Sequence, residues 1–290
     1  MKAVGSQQFV LILTLLMLVS CGSGTDVVQK DVRDVAAVRV GKVKDDRVKE
    51  GSGVVMSRQY PGVFWTHNDH GHSPMIYAMT REGKSIAEFR LPIEDVDSDW
   101  EDITTDDEGH LYIADVGNNE FTRKQIRVIR IIEPDPKGKE RKHHLPRQRE
   151  IQIWQLTYPE QPFDAESLVL HQGYGYIISK VHHNRHATMY RFSLAEQTKP
   201  AVLEKFLDLP IYTPVTAASL TRDGKYLAVL SWGALHVYRV NGNLANVANV
   251  EAVRIPLERL QFEGCTFTDD GILITAESRE IYFVPASAYQ

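Results

Sequence analysis

Cysteine is nearly absent from this 290-residue chain, and Cys21 and Cys265 alone cannot build a disulfide framework. Cys265 lies in FEGCTF, flanked by Phe262 and Phe267, which reads as a buried, inert thiol in a strand. Long hydrophobic runs are also scarce: Phe9 to Val19 (FVLILTLLMLV) is too short to span a bilayer. Basic excess is missing too, with 33 Lys and Arg against 38 Asp and Glu. Removing the first twenty residues deletes only Lys2, leaving 32 against 38, a net charge of −6. Such a balance argues against a nucleic acid partner. The sequence has no GxSxG elbow, no P-loop, no GxGxxG after a strand and no HExxH pair, so no standard nucleophile or metalloprotease signature is available. What is present is ordinary globular composition, 43% hydrophobic and 24% charged, ample for one core.

The apolar run reads as a secretory signal over residues 1–20. Leu18, Val19, Ser20 and Cys21 then resemble the lipobox of bacterial lipoproteins, in which the Cys becomes the lipidated N-terminus. The alternative is an ordinary signal peptide with an incidental Cys. More than one acyl chain at Cys21, at about 0.8 kcal/mol per buried CH₂, gives stable membrane attachment. Gly22, rather than Asp, after the Cys points to the outer membrane in a Gram-negative envelope by the sorting rule such lipoproteins follow. Residues 21–34 are small, polar and charged, as in a flexible tether, and 35–290 form the folded domain.

A repeat decides the architecture of that domain. A short apolar strand, a turn rich in Gly, Asp or Pro, and a second strand recur five times, each copy being a β-hairpin signal. The second strands are VFWTH, LYIAD, YIISK, LAVLS and ILITA. The copies open 49, 65, 52 and 45 residues apart and carry further strands such as MIYAM, ATMYRF, LHVYRV and EIYFVP. Four antiparallel strands per unit predict an all-β fold, a β-propeller of five four-stranded blades. The last copy lacks room for a fourth strand, and VAAVRVGKV (Val35 to Val43) precedes the first, so the N-terminal strand is expected to close the last blade. A sixth, irregular blade within residues 120–160 is the alternative, because the 65-residue spacing is generous.

Each copy also has a fourteen-residue offset, pairing Ser52 with Thr66, Glu101 with Asp115, Glu166 with Lys180, Ala218 with Trp232 and Glu263 with Glu277. Hairpin geometry puts each pair at one end of the blade, hence around the mouth of the central channel. Five carboxylates against one Lys need a bound cation, backbone hydrogen bonds or raised pKa values. An oxygen-only donor set suits Ca²⁺ or Mg²⁺, with Glu101, Asp115, Glu263 and Glu277 as the expected metal ligands. The competing reading is that these acids tie adjacent blades together. Long loops follow the second strands of the first three copies and short ones follow the last two, giving a groove with one high and one low wall. His67, His70 and His72, and His182, His183 and His186, are read as solvated loop histidines, a Zn²⁺ or Cu²⁺ site being the alternative. His143 and His144 fall in a basic stretch read as an exposed loop.

The strings SGVVMSRQYPGVFWTHNDHG, DSDWEDIT, LYIADVGNN with Arg123 following, FDAESLVL, VTAASLTRDGKYLAV and FEGCTF together resemble a family of uncharacterised secreted bacterial propellers. More distantly, the chain is similar to SdiA-regulated lipoprotein-like propellers and to those called phytase-like or esterase-like. The resemblance runs from about Gly51 onward and implies fold and address more than activity. It marks His67, Asn68, Asp69, Asp99, Glu101, Asp102, Asp115, Asn119, Glu166, Lys180, Glu263 and Glu277 as the matching positions. Of these His67, Asn68, Asp69, Asp102, Asn119, Glu166 and Lys180 are the expected ligand-binding set. His70 and His72 stand where the family pattern has other residues, and Asn118 stands where Asp is usual. Two functions are then in view. One is an envelope-anchored propeller binding a small molecule, glycan or envelope protein at its acidic face, with Ca²⁺. The other is a metal-dependent hydrolase of esters, lactones or phosphoesters, with His67 or Glu166 as proton acceptor and Lys180 stabilising negative charge.

Overall fold

Near-continuous apolar runs, rather than alternating ones, mark strands covered on both faces, and the central hairpins here are of that kind: β7 (His110–Asp115) is buried from Leu111 to its end. The structure, a computed structural model, describes residues 37–93, 98–138, 151–181 and 186–290. Cys21, the signal and tether segments, His143, His144, His182 and His183 lie outside the described residues.

The first strand, β1 (Val38–Lys42), precedes the blades. Blade 1 is β2 (Gly51–Met56), β3 (Phe64–Asn68), β4 (Met75–Met79) and β5 (Ser85–Arg90). Blade 2 is β6 (Trp100–Thr105), β7, β8 (Gln125–Ile132) and β9 (Gln152–Thr157). Blade 3 is β10 (Val169–His171), β11 (Tyr174–Ile178), β12 (Ala187–Ser193) and β14 (Glu204–Leu209), while β13 (Ala201–Val202) leaves it to pair in parallel with β9 on the rim of blade 2. Blade 4 is β15 (Val215–Leu220), β16 (Tyr226–Ser231), β17 (Ala234–Arg239) and β18 (Val253–Pro256). Blade 5 is β19 (Phe262–Thr268), β20 (Gly271–Ala276), β21 (Glu280–Pro285) and, as its outer strand, β1. The molecule is therefore a five-bladed β-propeller. The generous spacing through residues 120–160 is spent on the outer strands of blade 2 and their connection, and no sixth blade forms among the described residues.

Alternate residues of each inner strand feed two different cores. Leu111 and Ile113 of β7 pack with Trp65, Ile76 and Phe89 of blade 1, whereas Tyr112 and Ala114 pack with Ile177 and Phe192 of blade 3. Further wedges join blade 3 to blade 4 through Ile178, Met189, Leu227 and Val229, and blade 4 to blade 5 through Ala228, Leu230, Ile272 and Ile274. Blade 5 meets blade 1 through Leu273, Ile281, Phe64 and Met79. Apolar burial of this kind, at about 25 cal/mol per Å², holds the blades face to face. Cys265 is buried in the wedge between blades 4 and 5. The N-terminal strand closes the ring as expected: Val38 pairs with Phe283 and Lys42 with Glu280, whose carboxylate also accepts from Lys42 Nζ at 3.0 Å.

The fourteen-residue pairs are not register partners. The ladder instead pairs Ser52 with His67, Trp100 with Asp115, Val215 with Ser231 and Phe262 with Ala276, and bridges Ala165 to Ser179. One extra residue follows each of four of these pairs, Gly53, Glu101, Thr216 and Glu263, as a β-bulge. In blade 3 the same one-residue shift falls between the Ala165 bridge and the Val169–Tyr176 pair, in the stretch that holds Glu166. Bulges re-aim the side chain they carry. Here they recur at one level around the ring, on the face where β2, β6, β15 and β19 begin, called the upper face below.

Gly53 fills the first of these positions at φ +61, where a Cβ would stand 2.9 Å from Asp102 Cα, His67 Nε2 and Ile103 N. Both the left-handed backbone and the close approach of blade 2 require glycine. Gly53→Ala is expected to lower the unfolding free energy by about 2–3 kcal/mol, read as a shift in the urea midpoint. An unchanged midpoint would show that the blades separate there without cost.

Candidate functional site

Every acidic side chain at the upper mouth is placed by a strand end or a bulge. Asp69 follows β3, and its N–H donates to Glu50 O at 2.9 Å while its Oδ1 accepts from His70 N at 2.5 Å. Asp99 precedes β6 and is fixed from two sides: its N–H donates to Asp115 Oδ1 at 2.9 Å, and its carbonyl accepts from Gly117 N at 3.2 Å. Glu101 is the bulged residue of β6, 3% exposed, and its Oε1 is buried without a hydrogen-bond partner. Gly117 leaves room for these groups, since a Cβ there would collide with Glu101 Oε1 and Asp99 Oδ2. Carboxylate oxygens of Asp69, Asp99 and Glu101 lie within 4.8 Å of one another.

Next to this trio, Lys180 Nζ donates to Glu166 Oε1 and lies 3.7 Å from Asp164 Oδ2. Asp164 itself is fully buried, with Oδ1 accepting from Asn118 N at 2.7 Å. Glu263 feels the charges of Lys180, Asp69 and Glu277, and Glu277 those of Glu50 and Asp69.

The electrostatics follow from crowding and burial. Burial, with the Asp69 charge beside it, lifts Asp99 to about 6. Burial also pushes Glu101 well above the usual carboxylate range, reinforced by Glu166, Asp69 and Asp99. Glu166 is raised by burial although Lys180 opposes the shift. Glu263 is lifted to about 8, again by burial first, with Lys180 opposing and Asp69 and Glu277 adding. Burial works against the Lys180 ammonium, but Glu166 beside it, together with Asp164 and Glu101, more than offsets this and the ammonium pKa is raised. Partly desolvated like charges are driven either to hold protons or to bind a cation.

The other expected residues sit elsewhere. Asp115 is fully buried, with Oδ1 accepting from Arg123 Nη2 at 2.7 Å and Oδ2 from Arg127 Nε at 2.5 Å. Both oxygens of this expected metal ligand are thus engaged by guanidinium groups. Asp102 is fully buried in the channel wall, where Oδ1 accepts from Ile103 N at 2.9 Å and Oδ2 from Leu168 N at 2.9 Å and Ala218 N at 3.4 Å. It ties blade 2 to blades 3 and 4, the blade-tying role weighed for the ring as a whole. His67 is fully buried with its ring edge-on to Trp100, and burial lowers it to about 4, so it is neutral. Asn68 secures the turn before β2, accepting from Lys49 N and donating to Arg47 O, both at 2.8 Å. Asn119 is exposed on the loop after β7. Asn118 spends its side chain on Arg123 and Tyr158, bracing that loop. Of the two loop histidines on blade 1, His70 Nδ1 lies 3.4 Å from Asp99 Oδ1 and His72 Nδ1 3.6 Å from Glu50 Oε2.

Asp99 and Asp164 are the residues that spacing alone left out of the site. Their signal is a repeated Asp-x-Glu, Asp99-Trp100-Glu101 and Asp164-Ala165-Glu166, in which the two acids flank the residue that pairs across the hairpin. A second acidic group, Asp106, Glu108 and His110, lies in the β6–β7 turn on the opposite face. There Asp106 is used up as a turn brace, accepting from Glu108 N, His110 N, His110 Nδ1 and Tyr112 Oη.

No family model and no curated protein sequence matches the chain. Solved structures similar to it are propeller-like proteins. Virginiamycin B lyase from Staphylococcus aureus aligns with 14% identity and a TM-score of 0.44 over 82% of this chain and 66% of that one. Kuenenia stuttgartiensis hydrazine synthase aligns with 9% identity and a TM-score of 0.46 over 81% of this chain and 71% of that one. The chain therefore spans just under two thirds of the lyase. At these identities the likeness is one of fold. Among the described residues, no helix is long and apolar enough to cross a membrane.

Proposed function

We propose that the upper mouth binds a hard divalent cation, Ca²⁺ or Mg²⁺, at Asp69, Asp99 and Glu101, and that the loaded face captures an oxygen-rich ligand at the cell envelope. The observation that carries this reading is Glu101, whose Oε1 is buried without a hydrogen-bond partner and which brings a carboxylate oxygen within 4.8 Å of oxygens from two further carboxylates. A cation supplies the compensation that the protein's own groups do not. Oxygen-only donors suit a hard ion. Lipidation at Cys21 and the tether to residue 34 are the proposed means of holding the propeller at the membrane, on the outer membrane in a Gram-negative cell.

Elemental analysis of the purified chain, paired with thermal melts in EDTA and in excess Ca²⁺, tests the proposal. One cation per chain is expected, and excess at a hundred times Kd adds about 2.7 kcal/mol of stability. Absence of both metal and shift would leave the carboxylates as protonated ties between blades.

Glu263 supports a second reading, metal-assisted hydrolysis of esters, lactones or phosphoesters. A carboxyl lifted to about 8 beside the proposed cation exchanges protons near neutral pH. Turnover of such substrates that stops in EDTA and returns with metal would establish it; turnover indifferent to chelation would remove it.

A further inference from the structure

Short loops on blades 4 and 5 leave a low side to the upper face, and a cavity of about 880 Å³ opens there, within the range of small-molecule sites. Its floor carries Trp232, 54% exposed, in the two-residue turn between β16 and β17. Nothing in the turn calls for an indole: Trp232 contributes its backbone N–H to Pro214 O at 2.9 Å. The other three tryptophans, Trp65, Trp100 and Trp154, are 0%, 4% and 1% exposed. Leu260, Gln261, Ser278, Glu50 and Glu277 line the same cavity. The cavity is also joined to the acidic mouth, because Glu50 O accepts from Asp69 N.

An aromatic plane sharing a cavity with carboxylates, an amide and a hydroxyl matches a ligand with an apolar face and a hydroxylated edge. Pyranose rings have that form, their axial C–H groups stacking on indole and their hydroxyls donating to carboxylates. Lys49 and Arg259 also line the cavity. Against Glu50, Glu258 and Glu277 they leave the lining only one net negative charge, which disfavours an organic cation relative to a neutral ligand. We propose that this cavity is a carbohydrate subsite, with a sugar ring stacked on Trp232 and its hydroxyls held by Glu50, Glu277 and Gln261. The proposal rests on reading the upper face as a ligand-binding face, and does not require the cation.

Because Trp232 is the exposed indole, intrinsic fluorescence reports on the site directly. The full-length chain would be titrated with chito-, cello- and malto-oligosaccharides and solubilised peptidoglycan, with iodide quenching read in parallel. One of these glycans is expected to blue-shift the emission and shield it from iodide. Trp232→Ala should lose about tenfold or more in affinity, measured by calorimetry, with an unchanged melting temperature, and Trp232→Phe should retain part of the binding. No response to any glycan, an equal affinity in Trp232→Ala, or a response to tetramethylammonium instead of sugar would each overturn the proposal. Repeating the titration in EDTA separates the two readings. A sugar response that survives EDTA shows the subsite standing without the cation. A sugar response from a chain that elemental analysis and melts show to bind no metal sinks only the cation site, and bound metal without a sugar response sinks only the subsite.

Discussion

Asp115→Ala should unfold the propeller at much lower denaturant than the parent chain, losing about 3–5 kcal/mol. The carboxylate is fully buried and receives Arg123 and Arg127, whose side chains are 18% exposed. Removing it takes the balancing charge from two poorly solvated guanidinium groups, which costs far more than a surface pair is worth. The damage should extend to the mouth. Asp115 Oδ1 also accepts from Asp99 N, and Arg123 Nη1 donates to Gly117 O at 2.6 Å, so the segment that positions Asp99 hangs on this cluster. Asp115→Asn keeps one acceptor for Asp99 N and should lose less. Urea melts of Asp115→Ala, Arg123→Ala and the double variant supply the check: a double variant no less stable than Asp115→Ala alone would show the two residues acting as a unit, and additive losses would deny it.

Glu101→Gln should weaken Ca²⁺ binding by about tenfold to a hundredfold, measured by calorimetry. Without metal its effect should have the opposite sign. Asp99, at about 6, and Glu263, at about 8, have folded-state values above those of free carboxyls. Groups of this kind stabilise the fold fully while protonated, and that contribution is lost as pH rises through about 6 and then about 8. The parent chain in EDTA should therefore lose melting temperature across that window. A neutral amide at position 101 removes one of the repelling carboxylates, so Glu101→Gln in EDTA should melt above the parent on the alkaline side. Ca²⁺ should reverse the order, stabilising the parent increasingly as pH rises because protons and the cation compete for the same oxygens. A parent whose stability in EDTA is flat from acid to alkaline pH would contradict this account of the mouth.

The ring of blades was legible because each inner hairpin is apolar on both faces and is punctuated by strong turn signals, as in TTDDEG and TRDGK. N-terminal closure was legible from the strand left over before Gly51 and the one missing after Glu280. The bulges were not, since a one-residue shift leaves no trace in composition. Ser52 and Ala218 were consequently placed one and two residues from the true bulge positions, Gly53 and Thr216. Asp115 looked like a ligand for a different reason: its partner Arg127 lies directly opposite it on β8, but the nine-residue loop between the strands, residues 116–124, hides that register in the sequence. The placement of Glu101, Glu166 and Glu263 at the strand openings was legible because a repeated acid beside a strand opening survives small errors of register. Trp232 was noted for its offset alone, and its exposure is a property of the short loops around it.

Lys42 meets Glu280 across 238 residues, and that distance sets the order of events in folding. The strand made first has no place to go until the strand made last exists, and bringing the two together costs about 5 kcal/mol of chain entropy. Four blades can stack while Val38–Lys42 waits, but the fifth remains a three-stranded sheet with an open edge until they arrive. A chain stopped short of Glu280 would carry two orphan edges at once, the surfaces on which strands from separate molecules join. After closure, neither end can peel away without opening the ring, so the contact that makes folding slow also makes the finished propeller resistant to fraying.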